Sequence, residues 1–102
     1  MKEPVYTLSM WHVKPEREAE FVAAWKELDA IMASVPRGPS GLGMLIQSTT
    51  EPTLFYSFGP WRSSSEVAAM RSDPRAQEGI QKLRELCSEA TPGMFRVVAE
   101  SQ

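Results

Sequence analysis

The sequence predicts an α+β domain whose strands and helices follow one another in the order βαββαβ. Segments rich in β-branched and aromatic residues alternate with segments of amphipathic helical spacing. Two of the strand-like segments are separated only by a short turn, which predicts an antiparallel hairpin. The chain has 102 residues, of which 42% are hydrophobic and 24% charged. These values are typical of one folded globular domain, so we expect a single domain over residues 1–102.

The first half of the chain begins with a predicted strand and helix. Val5–Val13 is rich in β-branched, aromatic and apolar residues and predicts the first strand. Pro15 is typical of a first helical turn, and acidic residues follow it, so we expect the helix to begin there. The helix is predicted to end near Ser34. Its apolar stripe recurs at spacings of three and four residues, at Phe21, Trp25, Leu28 and Met32.

A long loop and a hairpin are predicted next. The loop is Val35–Gly43, which contains two prolines and three glycines. Such a loop suits either a binding lid or a plain connector, and the sequence leaves both open. Leu42–Thr49 and Leu54–Trp61 predict two strands, and Glu51–Pro52 supplies the turn between them.

The second half predicts a kinked helix and a last strand. Ser63–Glu66 resembles a capping box, and Asp73–Pro74 is a second start signal that predicts a kink. Thr91–Gly93 breaks the helix, and Met94–Glu100 is the predicted last strand. The predicted apolar side of the helix includes Ile80, Leu83, Leu86 and Cys87. The complete order is the ferredoxin-like plan, a four-stranded antiparallel sheet with both helices on one face.

The predicted strands are apolar on both faces, which indicates a partner. In Val5–Val13, one face carries Tyr6, Leu8 and Met10, yet apolar residues also occupy the other face. Two helices cover only one face of the sheet, and a bare apolar face of this size is rare in a monomer. We therefore expect a homodimer through the uncovered sheet face.

Charge and cysteine content exclude several classes of function. Eleven Lys and Arg are interspersed with thirteen Asp and Glu, so there is no basic stripe to favour nucleic acid. No apolar run is long enough to span a membrane. A single cysteine and the absence of a signal-peptide pattern after Met1 favour the cytoplasm. The sequence shows no metal-ligand spacing and no dinucleotide-binding glycine pattern, so we expect neither a metal nor another cofactor.

Several residues are candidates for a small-molecule site. His12 is the single histidine and is able to accept a proton near neutral pH, although a surface or capping role without chemistry is also compatible with its position. Trp61 can stack on a flat ligand or donate its N–H to an oxyanion, or can fill the core. Alternation places Ser57 on the face of Trp61. The candidate catalytic residues are Trp61 and His12; the candidate substrate-binding residues are Tyr6, Leu8, Met10, Ser57, Met70 and Arg71.

Most of the chain resembles the family of antibiotic-biosynthesis monooxygenases. The resemblance covers about residues 5–100 and depends on the segments Val13–Glu16, Glu20–Phe21 with Trp25, Glu51–Pro52 and Trp61–Ser63. It implies a dimeric α/β barrel in which the strand-end tryptophan, here Trp61, is part of a pocket. Some members carry an asparagine four residues before this tryptophan, where the present chain has Ser57.

The resemblance implies a cofactor-independent monooxygenase that acts on a small aromatic or quinol-type substrate in an apolar pocket. Haem-degrading members need a histidine in the second helical region, and residues 63–90 contain none. The alternative hypothesis is a non-catalytic dimeric barrel that binds a small apolar molecule or has a structural role.

Overall fold

The structure is a computed structural model that describes residues 4–34 and 38–101. Within these ranges the chain forms three helices and five strands, in an order that confirms the predicted α+β fold class. Residues 1–3 and 35–37, and with them part of the predicted 35–43 loop, lie outside the described residues. The elements are β1 Val5–Val13, α1 Glu18–Ser34, β2 Met44–Gln47, β3 Leu54–Trp61, α2 Ser64–Ser72, α3 Pro74–Glu85, β4 Cys87–Thr91 and β5 Met94–Arg96.

The strands form one antiparallel sheet around β1. Its order is β2-β3-β1-β4, and β5 also pairs with β1. β4 pairs with the second half of β1 and β5 with its first half, so the two short strands occupy the same edge. Between them, the Leu8 N–H donates to the Gly93 carbonyl over 3.0 Å. β4 and β5 are therefore one edge strand with an interruption at Pro92–Gly93.

The prediction that the second helix continues through Cys87 is wrong. The helix α3 ends at Glu85, with Leu86 as its C-cap, and Cys87 begins β4 opposite Val13. The Lys14 N–H donates to the Leu86 carbonyl over 2.9 Å. Long-range pairing with β1 therefore prevails over a local pattern that is compatible with a helix.

The last strand, predicted over Met94–Glu100, is shorter and ends at Arg96. Two further predicted boundaries change for local reasons. The helix α1 begins at Glu18 rather than Pro15, because Glu16 has a φ of 71°, which no α-helix accommodates. β2 is shorter than the predicted 42–49 segment. Its end is set by Ser48, whose hydroxyl accepts the backbone N–H groups of Thr50 and Glu51 at 3.2 and 3.0 Å. Such side-chain bonds favour a turn over a strand.

The predicted kink in the second helical segment is a break into two capped helices. The Ser63 hydroxyl accepts the Glu66 N–H at the start of α2. The Asp73 carboxylate accepts the Arg75 N–H over 2.8 Å at the start of α3, with Pro74 at the first helical position. Among the helices in the described part of the chain, none combines the length and apolar character needed to cross a membrane.

The apolar core of the described residues falls into two clusters between the sheet and the helices. The first is built on tilted aromatic contacts of Phe21 with Trp11 and with Phe55, at centroid distances of 5.5 and 5.2 Å. The second contains Val5, Trp61, Val67, Met70 and Ala76. Met32 and Ile80 pack against both clusters. The boundary between the clusters is where the candidate site lies.

Candidate functional site

A cavity lies between the two core clusters because the middle of the sheet carries small side chains. On its helix-facing side, β1 has apolar residues at both ends but Thr7 and Ser9 between them. The paired strand β3 places Ser57 opposite Ser9 and Gly59 opposite Thr7. These small side chains leave space beneath the helices. We call Thr7, Ser9, Ser57 and Gly59 the floor of the cavity.

The walls of the cavity are largely apolar and come from both clusters. The cavity has a volume of about 120 Å³ and is partly open to solvent. Trp11 and Trp61 flank the floor, one from each cluster. The helices contribute Trp25, Leu28, Met32, Met70, Ile80 and Leu83. An apolar concave space with a few polar groups is the usual form of a small-molecule site.

The two tryptophans that flank the floor, Trp11 and Trp61, donate their indole N–H groups to it. The N–H of Trp61 donates to the Thr7 hydroxyl over 3.3 Å, and that of Trp11 donates to the Ser57 hydroxyl over 2.9 Å. A hydroxyl that accepts a hydrogen bond still has its own proton to donate. The hydrogen-bond donors that the floor offers to a ligand are therefore hydroxyl groups rather than indoles.

The charged residues that line the cavity are Asp29, Arg71 and Arg84, one from each helix. All three are exposed, so they lie at the solvent-facing mouth. Neither arginine forms an ion pair with another residue that the structure describes. Two positive charges and one negative charge leave the mouth with an excess of one positive charge.

Four of the residues predicted for the site come together here. Trp61, Ser57, Met70 and Arg71 all line the cavity. Trp61 is buried at the end of β3, and Met70 and Arg71 lie in the last part of α2. Their proximity to one cavity is a finding, whereas their roles toward a substrate stay predictions.

The other four predicted residues, Tyr6, Leu8, Met10 and His12, lie on the opposite face of the sheet. Successive side chains of a strand point to opposite faces, and the register places these residues with Leu54, Tyr56, Phe58 and Pro60 of β3. His12 lies between two carboxylates, with Nε2 3.5 Å from Glu51 and Nδ1 3.6 Å from Glu89. The sheet therefore separates His12 from the cavity beside Trp61.

Several residues that line the cavity were not among the predicted site residues. Thr7, Ser9 and Trp11 share the alternation that groups Ser57 with Trp61, so the strand pattern contained the signal for them. Asp29 and Arg84 are exposed helix residues with no distinctive local pattern. Their positions at the mouth depend on how the helices pack on the sheet, which the sequence pattern does not specify.

The lone cysteine lies outside the residues that line this cavity. Cys87 is buried at the start of β4. Burial raises the pKa of the Cys87 thiol to about 11, while the positive charges of Lys14 and Arg84 act in the opposite direction. In the part of the chain that the structure describes, His, Cys, Asp and Glu side chains do not gather in groups of three or more that suit a metal ion.

The comparison with known proteins identifies the fold. No protein-family model matches the chain, and no curated protein matches it. SnoaB, a cofactor-independent oxygenase from Streptomyces nogalater, has a TM-score of 0.84 over 97% of this chain and 96% of its own, at 16% identity. A protein described as an antibiotic biosynthesis monooxygenase has a TM-score of 0.78 over 93% of this chain and 99% of its own, at 12% identity. A conserved protein from Methanosarcina mazei has a TM-score of 0.81 over 92% of each chain, at 17% identity.

These similarities confirm the resemblance to antibiotic-biosynthesis monooxygenases as a likeness of fold. They cover nearly the whole of both chains in each pair. At such low identity they carry no assignment of substrate or reaction, because one fold serves many functions.

Proposed function

We propose that this protein is a cofactor-independent monooxygenase that acts on a small aromatic or quinol-type substrate in the cavity beside Trp61. The observation that carries the proposal is the apolar cavity, which has hydroxyl donors on its floor and tryptophans on two sides. The fold that the chain shares with a cofactor-independent oxygenase supports the same reaction class.

The proposed reaction needs no electron source besides the substrate. A phenol or quinol that loses a proton becomes an electron-rich anion, which transfers an electron to dioxygen. Recombination forms a carbon–oxygen bond and a peroxide, whose oxygen–oxygen bond then breaks. One oxygen atom stays on the ring and the other leaves as water, so a dihydroxybenzene and dioxygen give a hydroxyquinone and water.

The cavity favours this chemistry in two ways. Its apolar walls limit access of water to the anion and to the peroxide. The hydroxyls of Thr7, Ser9 and Ser57 are placed to donate hydrogen bonds to a phenolate oxygen, which stabilises negative charge where it develops. The proposal retains Trp61 as the residue that shapes the site. It does not depend on His12, which lies on the other face of the sheet.

Dioxygen consumption tests the proposal directly. The purified protein, treated with a chelator and free of added flavin, is mixed with a dihydroxybenzene in an oxygen electrode, and products are analysed by mass spectrometry after reaction with labelled dioxygen. We expect uptake above the spontaneous rate and one labelled oxygen atom in the product. The variant Trp61→Ala should lose most of this activity, whereas Lys26→Gln, at an exposed position of α1, should keep it. Uptake that never exceeds the spontaneous rate would overturn the proposal.

A non-catalytic protein that binds a small apolar ligand is the second candidate. The observation that favours it is that the charged residues lining the cavity, Asp29, Arg71 and Arg84, are all exposed at the mouth. The lining of the described cavity thus provides no buried general base. Ligand binding without oxygen uptake across a set of phenols would support this second function.

We further propose that the functional unit is a homodimer through the outer face of the sheet. That face is opposite the helices and exposes large apolar side chains, with Ile46 48% and Phe95 54% accessible. Met44 and Tyr56 are similarly exposed on it. A second copy related by a twofold axis would cover this face with the same residues.

A further inference from the structure

We infer that the cavity takes a single aromatic ring with an oxygen substituent at one end and a carboxylate at the other. The Ser9 and Ser57 hydroxyls would bind the ring oxygen, and Arg71 and Arg84 would bind the carboxylate at the mouth. This inference rests on the proposed function, because it specifies the substrate class of the same site.

The enclosed part of the cavity has the size of one ring. An engineered protein cavity of about 150 Å³ binds benzene. The present cavity is slightly smaller, at about 120 Å³, but is open to solvent on one side. A single ring therefore fills the enclosed part, and a substituent reaches out through the mouth.

The floor provides the recognition of the ring oxygen. Ser9 and Ser57 are direct neighbours across β1 and β3. The Ser57 hydroxyl accepts from Trp11 and so keeps its proton for a ligand. The Ser9 hydroxyl forms no hydrogen bond with the other residues that the structure describes. Two hydroxyl donors thus lie side by side where the enclosed end of the ring would be.

The mouth provides the recognition of the carboxylate. Arg71 and Arg84 approach from two different helices, and no described residue pairs with either guanidinium. Guanidinium groups bind carboxylates through paired, charge-assisted hydrogen bonds. Asp29 at the same mouth opposes such a ligand, but two positive charges outnumber it. The net effect favours an anionic substituent over a neutral one.

Equilibrium binding of three matched probes to the full chain tests the inference. The para isomer of hydroxyphenylacetate has both groups, its methyl ester lacks the negative charge, and phenylacetate lacks the ring hydroxyl. These probes are stable in air, so titration calorimetry measures binding without any reaction. We expect hydroxyphenylacetate to bind most tightly, and its advantage over the ester to shrink as salt is added.

Variants at the two ends should affect different probes. Arg71→Gln and Arg84→Gln should each weaken the binding of hydroxyphenylacetate and phenylacetate by about threefold and leave the binding of the ester unchanged. Asp29→Asn removes a negative charge from the mouth and should therefore strengthen the binding of the two carboxylate probes. Ser9→Ala should weaken hydroxyphenylacetate and its ester by about fivefold and leave phenylacetate unchanged. Ser9→Ala is the cleaner floor variant, because Ser57→Ala would also remove the acceptor of the Trp11 N–H.

The outcomes separate this inference from the proposed function. The inference is overturned if the three probes bind with equal affinity or if none of them binds. It is also overturned if the arginine variants do not act on the carboxylate probes alone, or if Ser9→Ala does not act on the hydroxyl-bearing probes alone. Each of these results holds even if the protein consumes dioxygen. The expected pattern of affinities together with no oxygen uptake would uphold the binding inference and overturn the oxygenase proposal.

Discussion

The indole N–H of Trp61 donates to the hydroxyl of Thr7, a diagonal neighbour on the adjacent strand, over 3.3 Å. Cross-strand pairs of this kind stabilise a sheet directly. Here the pair also fixes the orientation of the large indole that flanks the cavity.

Thr7→Val removes the acceptor of this hydrogen bond with almost no change in side-chain shape. Because a buried N–H is then left without its partner, we expect the free energy of unfolding to fall by about 1–3 kcal/mol. Urea denaturation measures the change. In the Trp61→Phe background, which has no indole N–H, the same substitution should be much less harmful. An equal effect of Thr7→Val in both backgrounds would show that the hydrogen bond is not its cause.

Gly93→Ala should destabilise the interrupted edge strand. A Cβ at this position would lie 3.1 Å from the Leu8 carbonyl oxygen and 2.8 Å from the Phe95 ring. Because the Leu8 carbonyl belongs to the central strand and cannot move freely, we expect a loss of about 1–3 kcal/mol, typical of overpacking. Gly43→Ala is the control, since its Cβ would make an ordinary 3.4 Å contact with Phe58. Thermal unfolding of the two variants should rank Gly43→Ala as the more stable.

Asp73 should contribute to stability in a pH-dependent way. Its hydrogen bonds with the Arg75 side chain and backbone lower the pKa of the Asp73 carboxyl below its ordinary value of 3.8. A carboxyl with a depressed folded-state pKa stabilises the fold above its unfolded pKa, and this contribution is lost as the pH falls through the folded value. Asp73→Asn keeps a capping oxygen but has no charge. The stability difference between the wild type and this variant should therefore shrink in acid, and a constant difference from pH 6 to pH 2 would contradict the assignment.

Cys87 should have the opposite pH dependence in the alkaline range. Its pKa is raised from 9.0 to about 11 by burial, so the unfolded chain releases the thiol proton first as the pH rises. Its contribution to stability is therefore complete below pH 9 and is lost between the unfolded and folded pKa values. We expect a thiol reagent at pH 8 to modify the native protein slowly and the urea-unfolded protein rapidly. Fast modification of the native protein would show that the thiol is accessible.

Ile46→Glu should separate the proposed dimer into monomers. The substitution places a charge on the exposed apolar face of the sheet, where a partner copy would bury that charge without compensation. Sedimentation velocity at micromolar concentration should give a dimer for the wild type and a monomer for the variant. Gln81→Glu, on the exposed side of α3, should stay dimeric. A monomeric wild type would overturn the dimer proposal.

Local patterns were sufficient to predict most of the fold. The stripe of α1, the hairpin of β2 and β3 and the caps at Ser63 and Asp73 depend on neighbouring residues, and the structure contains all of them. β4 was missed because Cys87–Thr91 is short and mostly polar, and its pairing with β1 joins distant parts of the chain. Its extended conformation is specified by the partner strand rather than by its own side chains.

The candidate site was predictable only in part. Met70 and Arg71 of α2 line the cavity, whereas the four predicted residues of β1 lie on the other face of the sheet. Alternation within β3 places Ser57 with Trp61, but the separation of both from His12 depends on the register of β1 with β3, which the pattern of one strand does not give. Strand patterns also say nothing about which helix residues reach the same cavity, so Asp29 and Arg84 emerged only from the packing of the helices on the sheet.

The floor of the cavity also separates the residues that determine which ligand fits from the residues that stabilise the fold. The large buried side chains that hold the sheet and helices together lie in the clusters on either side, whereas Ser9, Ser57 and Gly59 contribute little apolar burial. A small residue in place of Ser9 should thus change which molecules fit while leaving the scaffold folded. The other two positions are more constrained, because Ser57 accepts the Trp11 N–H and a Cβ at Gly59 would lie 3.1 Å from the Gly43 backbone. A chain built in this way is able to acquire a new ligand by a few mutations, without first accumulating extra stability.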